Sequence, residues 1–283
     1  MIKNNEDLLS KKNAIKLLNI PEKNFENYFK SSGEIKGIKI GARWYFDRDE
    51  LEKWDSLRKS RTISLSLKEY EKCFEFAIKM AYGSKNSRGT GIRGVRSEVQ
   101  MADDFILGIL AEHGVQKFLK EKFNFEMKLD LEVHPDHITP QDIDKIVENN
   151  KLRSPKIGIA IKSSKLKSCF NIIPPIEYEN LDRRSDCYIF CRVDLPSDHL
   201  FRILRDHSFF KTVTEFLEKS DGYKKIKELD TINVWICGFS YYGELEKVTE
   251  IPGQKFDNGF RYIKSVANMH NTDYDWELLI PKI

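Results

Sequence analysis

The sequence lacks the long apolar stretches that would place it in a membrane or direct it out of the cell. No run of eighteen apolar residues occurs among its 283 residues, so we expect no transmembrane helix. The N-terminal stretch, residues 1–14, also lacks the apolar segment of a secretory signal peptide. We therefore expect a cytoplasmic chain.

Cysteine is scarce, and its spacing is irregular. The chain has five cysteines, at positions 73, 169, 187, 191 and 237. Their number is odd, no second close pair accompanies Cys187 and Cys191, and no histidines stand at a zinc-finger spacing. We expect buried free thiols rather than a disulfide framework or a structural zinc site.

The chain also has little excess charge of either sign. Its 47 basic and 44 acidic residues give a formal net charge of +3, which by itself supports nucleic-acid binding only weakly. The distribution is more informative. Basic residues cluster in four segments, at 36–43, 58–61, 85–96 and 151–167. Ordinary solvated faces would explain any one of them, whereas four beside the motifs below favour a nucleic-acid partner.

The first fifth of the chain has the order helix, tight turn, helix, hairpin, helix. Five segments predict these elements: helices over 11–18 and 22–30, strands over 36–40 and 43–46, and a helix over 47–54. Ser10 and Asp47 are suitable N-cap residues, and Pro21 suits the first turn of the second helix. The two strands meet at Gly41, where a hairpin is expected.

These residues resemble the winged helix-turn-helix domains of the excisionase and MerR-like DNA-binding family. The resemblance rests on Ala14, Leu17-Leu18, Ile20-Pro21, the wing stretch IKIGARWYF at 38–46, and the closing helix at 47–54. The resemblance implies that the second helix, which includes Asn24, enters a major groove, while Lys39 and Arg43 reach phosphate or the minor groove. Glu22 and Glu26 depart from this pattern, because carboxylates repel phosphates. A winged helix that binds protein is the alternative.

The chain is long enough for a small domain followed by a medium one. We predict an N-terminal domain at 1–57, a connector at 58–66 and a second domain at 67–283. A glycine-rich segment, residues 83–94, lacks the order of a nucleotide-binding P-loop. It is either a mobile surface loop or a phosphate contact made by Lys85, Arg88 and Arg93.

The second domain contains acidic and basic residues at positions that suggest hydrolytic chemistry. A helix predicted over 96–119 has Glu98 near its start, and Asp142 and Asp144 share one face of a later predicted strand. In the segment KIGIAIKSSK, a period of two places the isoleucines on one face and Lys162 on the other. A carboxylate beside an ammonium is typical of metal-dependent phosphodiester hydrolysis, in which Mg²⁺ polarises the phosphate and the lysine orients water or balances charge.

The predicted order is a helix with Glu98, a strand with Asp142, a turn, and a strand that ends in Lys162. This order resembles the PD-(D/E)XK nuclease superfamily, the fold of many type II restriction endonucleases. The resemblance covers most of the chain after residue 67, through QDIDKIVENNKLRSPKIGIAIKSSK and the later strands SDCYIFCRVDL and TINVWICGFSYY. It implies an α/β fold with a mixed sheet flanked by helices. It also implies Asp142 as first metal ligand, Lys162 as catalytic lysine, Glu98 as helical glutamate, and Mg²⁺ as cofactor.

One position departs from the family pattern. Ala160 stands two residues before Lys162, where the family has an acidic residue or glutamine, and alanine cannot bind a metal. The chain is an engineered inactive variant, or the carboxylate has migrated to Glu98 or Asp144, or catalysis has been lost. We favour the first explanation because the rest of the motif is intact. Ser163, Ser164 and Lys165 follow directly and suit phosphate contacts.

The sequence thus predicts a sequence-specific, Mg²⁺-dependent endonuclease of double-stranded DNA, of the type II restriction class. Cutting both strands of a palindrome requires two active sites, so we expect a homodimer. The alternative is a catalytically inert DNA-binding regulator with a nuclease-like domain. An RNA-directed or modification-dependent nuclease stays open, because the sequence has no motif that selects or excludes either.

Overall fold

The structure, a computed structural model, describes residues 7–83, 97–129, 131, 141–212, 227–256 and 259–283. It is a mixed α/β structure with several small sheets, which confirms the predicted α/β class. The helices are α1 (Lys11–Leu18), α2 (Glu22–Glu26), α3 (Arg48–Ser60), α4 (Leu67–Gly83), α5 (Glu98–Phe123), α6 (Pro175–Tyr178), α7 (His199–Leu204) and α8 (Asp273–Leu279). A π-helical turn, Asn27–Ser31, extends α2.

Within the described residues, the strands form five sheets. They are β1 (Leu8–Ser10), β2 (Ile38–Ile40), β3 (Arg43–Asp47), β4 (Thr62–Ser66), β5 (Glu126–Leu129), β6 (Ile143–Glu148), β7 (Lys151–Arg153), β8 (Ile159–Lys165), β9 (Phe170–Ile173), β10 (Cys187–Val193), β11 (Thr231–Tyr241), β12 (Glu246–Val248), β13 (Glu250–Ile251), β14 (Gln254–Lys255) and β15 (Arg261–Ser265). Their orders are β1-β3-β2, β4-β11-β10-β8, β12-β15-β9, β13-β14 and β5-β6-β7.

The N-terminal unit has the predicted order of elements. The Ser10 hydroxyl accepts a hydrogen bond from the Asn13 N–H at the start of α1, and the Asp47 carboxylate caps α3 in the same way. Gly41 occupies the hairpin turn with φ +60°, a conformation that glycine adopts without strain. One element was not predicted: β1 precedes α1 and pairs with β3.

The four-stranded sheet carries the main core. Strand β10 pairs in parallel with β8 and antiparallel with β11, which pairs antiparallel with β4 at the edge. Helices α4 and α5 cover one face, where apolar side chains of β8, β10 and β11 are buried against them. Residues 58–66, predicted as a connector, form the end of α3 and the edge strand β4.

The N-terminal unit packs against the opposite face of this sheet. Its buried side chains, including Phe25 and Tyr28, form one apolar cluster with Phe190, Trp235 and Cys237 of strands β10 and β11. The two predicted domains therefore share a core. Helices α4 and α5 thus lie on one side of the sheet, and the N-terminal unit lies on the other.

An ion pair buried in this shared core joins the two units. The Arg192 guanidinium donates two hydrogen bonds to the Glu34 carboxylate, at 2.8 and 2.6 Å, and a third to the Ser168 carbonyl at 2.6 Å. It also lies over the rings of Tyr28 and Trp235, 4.5 and 4.4 Å from their centroids. Both charged side chains are almost fully buried.

All five cysteines are free and buried, as predicted. Trp44, in the stretch predicted as the wing, is 42% exposed. Its ring packs edge-on against Phe29.

Candidate active site

Strand β8 positions Lys162 as its alternation predicts. Ile159 and Ile161 are buried in the core beneath α4 and α5, whereas Ala160 belongs to a separate apolar cluster on the other face. Lys162 follows two residues later on the face of Ala160 and lies opposite Phe190 in the parallel pairing with β10. Its side chain is 27% exposed, so the ammonium lies at the margin of the fold.

Asp142 lies beside the middle of this strand. It directly precedes β6, and its N–H donates to the Ile159 carbonyl at 3.2 Å. Its carboxylate accepts a 2.6 Å hydrogen bond from the Ile161 N–H. These two bonds fix Asp142 to the two residues that flank Ala160 in the strand, next to Lys162.

A second carboxylate, which the sequence did not point to, completes the group. Glu177 of α6 forms an ion pair with the Lys162 ammonium. Pro174 and Pro175 begin this short helix immediately after β9. Nothing in the sequence spacing relates Glu177 to Lys162, because the contact depends on how the chain returns from β9 to β8.

The three charges influence one another strongly. Burial raises the pKa of the Asp142 carboxyl above its ordinary value, and the Glu177 charge adds to this, although Lys162 and the Ile161 N–H act in the opposite direction. Burial alone would lower the pKa of Lys162, but Asp142 and Glu177 outweigh burial and raise it. Lys162 therefore stays an ammonium, paired with Glu177 and influenced by the nearby Asp142.

Ala160 lies in an apolar environment. It is buried with Ile173, Tyr178, Tyr188 and Leu245. A carboxylate at this position would have to enter the cluster without an obvious charged partner among these neighbours. The methyl group is thus well matched to its surroundings.

A polar cavity adjoins Lys162. It has a volume of about 260 Å³ and is bordered by the serines 163, 164 and 168, Asn171 and Phe190, among others. Asn171 of β9 is fully buried, and within the described residues neither its amide nitrogen nor its amide oxygen has a hydrogen-bond partner. Because a buried unsatisfied polar group costs about 1–3 kcal/mol, Asn171 is a strong candidate for contact with a bound polar molecule.

The end of β8 is tied to the helical layer. Lys165 lies 3.6 Å from the Asp103 carboxylate of α5. The same carboxylate contacts His199 at 2.8 Å, and the other ring nitrogen of His199 contacts the Tyr70 hydroxyl at 2.6 Å. Lys165 is thus held on the α5 side of the strand.

The other two predicted acidic ligands lie apart from Lys162. Glu98 is exposed in the first turn of α5, where Ser97 and Gln100 form a capping box. Asp144 is half-exposed and lies 3.4 Å from Lys145. Within the described residues, no hydrogen bond or ion pair links either carboxylate to Asp142, Lys162 or Glu177.

The predicted DNA contacts of the N-terminal unit lie on two surfaces. Lys39 and Arg43 are exposed on the β2–β3 hairpin, beside the half-exposed apolar side chains Ile38, Ile40 and Trp44. Asn24 is half-buried on α2. The predicted contacts Lys85, Arg88 and Arg93 lie outside the described residues.

The acidic residues of α2 are neutralised by neighbouring lysines. Lys11 forms ion pairs with both Glu22 and Glu26, and Lys30 lies 2.6 Å from Glu26. Accordingly, hydrogen bonds from Lys11 and Lys30 lower the pKa of Glu26. These pairs weaken the repulsion that the two glutamates would exert on phosphate.

The described residues contain neither a membrane-spanning helix nor a cluster of three metal-ligating side chains, and no family model matches the chain. In the part of the chain that the structure describes, no helix is long and apolar enough to cross a membrane, and no cluster of three or more His, Cys, Asp or Glu side chains has the arrangement of a metal site. Comparison of the chain with family models, with curated proteins and with solved structures found no match.

Proposed function

We propose that the chain is a sequence-specific, Mg²⁺-dependent endonuclease of double-stranded DNA whose hydrolytic site consists of Asp142, Lys162 and Glu177. The observation that carries the proposal is the ion pair of Lys162 with Glu177, next to Asp142, which is hydrogen-bonded to the Ile161 N–H in the same strand and raises the pKa of Lys162. The order of elements supports it, since α5 is followed by Asp142, which directly precedes β6, and later by β8 with Lys162. This is the order on which the resemblance to the PD-(D/E)XK superfamily rests.

The carboxylates are chemically suited to Mg²⁺, which prefers oxygen ligands. Asp142 and Glu177 would hold the ion. The Glu177 charge raises the pKa of Asp142, so the two carboxylates repel each other, and a bound Mg²⁺ would relieve this repulsion. When bound, the metal would polarise the scissile phosphate and lower the pKa of a water molecule.

The side chains around the metal would bind and orient the phosphate. The raised pKa of Lys162 suits an ammonium that balances the negative charge of the phosphate better than a base that removes a proton. Ser163, Ser164 and Asn171 border the adjoining cavity and would donate hydrogen bonds to phosphate oxygens.

Glu177 also offers an answer to the departure at Ala160. One of the three explanations for Ala160 was that the acidic residue has moved to another position. In this proposal that position is Glu177 of α6 rather than Glu98 or Asp144. The unaltered chain would then be active. The apolar surroundings of Ala160 favour the alternative of an inert DNA-binding regulator only if Glu177 plays no such role.

Plasmid digestion tests the proposal directly. We expect the unaltered chain to cut a plasmid of known sequence at defined sites with Mg²⁺ and not with EDTA. Glu177→Gln, Lys162→Met and Asp142→Asn should each reduce the rate by at least about a hundredfold, because each removes a group that acts at the reacting phosphate. End mapping of the products then gives the recognition sequence.

Matched variants separate the possible sites. Glu179→Gln changes an exposed glutamate two residues from Glu177 and should leave cleavage unchanged. Loss of cleavage in Glu98→Gln or Asp144→Asn, with full activity of Glu177→Gln, would favour the sites predicted from sequence. Tight DNA binding without cutting by the unaltered chain and by Ala160→Glu, under any divalent metal, would leave the regulator as the better assignment.

DNA binding by the wing is tested separately. The double change Lys39→Ala and Arg43→Ala should weaken binding to all sequences and reduce the salt dependence, by about one unit of slope for each lost phosphate contact. We also propose that the active form is a homodimer, which sedimentation of the chain with and without a cleavage site would measure.

A further inference from the structure

A second cavity lies where the N-terminal unit meets the sheet. It has a volume of about 230 Å³ and will be called the interdomain cavity. Its walls come from the segment after the π-helical turn, from α3, from β11 and from the stretch that follows β15. The wall residues that determine its chemistry are Glu34, Lys36, Arg58, Arg61, Trp54 and Trp235.

The most unusual residue in the wall is Arg61. Its side chain is only 1% exposed, and its one described ion pair joins Nη2 to the Asp273 carboxylate at 2.9 Å. Within the described residues, Nε and Nη1 are buried without a hydrogen-bond partner. Burial lowers the pKa of this guanidinium, against the effect of Asp273.

A buried cation with unsatisfied donors is costly, so such groups usually have an acceptor. Asp273 is 58% exposed and compensates the charge only partly. The environment of Arg61 thus points to an acceptor that enters from the cavity.

The remaining wall residues favour an anion. The wall contains three cationic side chains, Lys36, Arg58 and Arg61, and one carboxylate, Glu34. That carboxylate is already engaged by two hydrogen bonds from Arg192. Arg58 in turn donates two hydrogen bonds to Asp55. The donors left for an anion are therefore chiefly the unsatisfied Nε and Nη1 of Arg61, beside the exposed Lys36, and the amides of Asn268 and Asn271 add further polar groups.

The size and the aromatic walls narrow the class of ligand. Trp54 and Trp235 lie edge to face with centroids 5.8 Å apart, and both line the cavity. Its volume is below the range of about 300–1,000 Å³ that is usual for drug-sized ligands. A phosphate group, alone or with one attached nucleoside, suits such a space better than a longer molecule.

We propose that the interdomain cavity is a binding site for a phosphate-bearing anion, held by Arg61 with Arg58 and Lys36 and flanked by Trp54 and Trp235. The site is separate from Lys162 and does not depend on nuclease activity. The same phosphate chemistry could come from inorganic phosphate, from a nucleoside monophosphate or from the backbone of DNA.

Tryptophan fluorescence of the full chain provides the test. The chain is titrated with inorganic phosphate, with dAMP and with a short DNA duplex, at constant ionic strength and without divalent metal. We expect a saturable change, because two of the four tryptophans line the cavity. Trp44 is exposed on the hairpin proposed to bind DNA, so a response to the duplex counts for the cavity only if Arg58→Gln weakens it. Among the compounds that meet this condition, the one that saturates the signal at the lowest concentration identifies the source of the phosphate.

Variants locate the bound anion. Lys36→Gln and Arg58→Gln should each weaken binding about tenfold, as expected for the loss of one charge-assisted contact. Lys53→Gln, on the same helix as Arg58 but 74% exposed and outside the cavity, is the matched control and should bind normally. Arg61→Gln should abolish binding, provided that its circular dichroism shows a folded chain.

Two results would overturn the proposal. One is the absence of any saturable change with all three compounds while the chain is folded. The other is an equal weakening in Lys53→Gln and in the two cavity variants, which would indicate a general effect of charge rather than a site.

Discussion

The buried pair between Glu34 and Arg192 provides the sharpest test of how the two units are joined. Replacing Glu34 by methionine keeps a side chain of similar length and removes the acceptor of two hydrogen bonds, at 2.8 and 2.6 Å. Arg192, which is fully buried, keeps the Ser168 carbonyl and two aromatic faces. Its charge then lacks a counter-ion.

The expected magnitude follows from these contacts. Hydrogen bonds to charged groups contribute about 1.5–3 kcal/mol each, and loss of one partner of a buried pair costs about 3–5 kcal/mol. We therefore expect Glu34→Met to lower the free energy of unfolding by about 3–5 kcal/mol. The measurement is urea unfolding followed by circular dichroism and by tryptophan fluorescence.

Two further variants make the test specific. Glu50→Gln removes an exposed glutamate that pairs with Lys53 and should change stability by less than about 1 kcal/mol. The double variant Glu34→Met with Arg192→Met should recover part of the loss, because apolar side chains can replace a buried pair at little cost. A loss for Glu34→Met no larger than that for Glu50→Gln would refute the view that this pair stabilises the shared core.

Three more outcomes are expected. Gly114→Ala should destabilise the chain by about 1–3 kcal/mol in urea unfolding, because its added carbon would lie 2.5 Å from Val234 Cγ1, and Val234→Ala should restore part of the loss. Asp142→Asn should be more stable than the unaltered chain at neutral pH. Burial raises the pKa of Asp142 above 3.8, so the folded state keeps this proton to a higher pH than the unfolded state does. The contribution of Asp142 to stability therefore falls as pH rises from 3.8 through the raised pKa. Equal stability of the two chains at pH 7 would contradict this. Iodoacetamide at pH 8 should label none of the five buried cysteines before unfolding, since burial raises the pKa of Cys73 and of Cys237 to about 12; rapid labelling of the native chain would contradict their burial.

Local patterns predicted much of the secondary structure. The alternation of isoleucines in β8 and the caps Ser10 and Asp47 are set by neighbours in sequence, so they can be read directly. The same alternation placed Lys162 on the face away from the helices. Asp142 is expected beside Lys162 from the family resemblance. It reaches β8 from just before β6 of a different sheet, β5-β6-β7, through its hydrogen bonds to Ile159 and Ile161.

The features that escaped prediction depend on distant parts of the chain. Strand β4 alternates polar and apolar residues over only five positions, too few to separate it from a connector without its pairing with β11. Glu177 contacts Lys162 only because β9 and α6 bring it back to β8. Likewise, Trp44 has the composition of a core residue, and only the packing of the hairpin shows that one side of it is exposed.

The short junction between α3 and β4 has a geometric consequence. Helix α3 ends at Ser60 and β4 begins at Thr62, so a single residue, the buried Arg61, separates the wing-bearing unit from the edge of the central sheet. For a duplex bound by Lys39 and Arg43, the distance along the DNA from these contacts to Lys162 would therefore be constant. Under the proposed function, cleavage should fall a fixed number of base pairs from the sequence that the wing contacts.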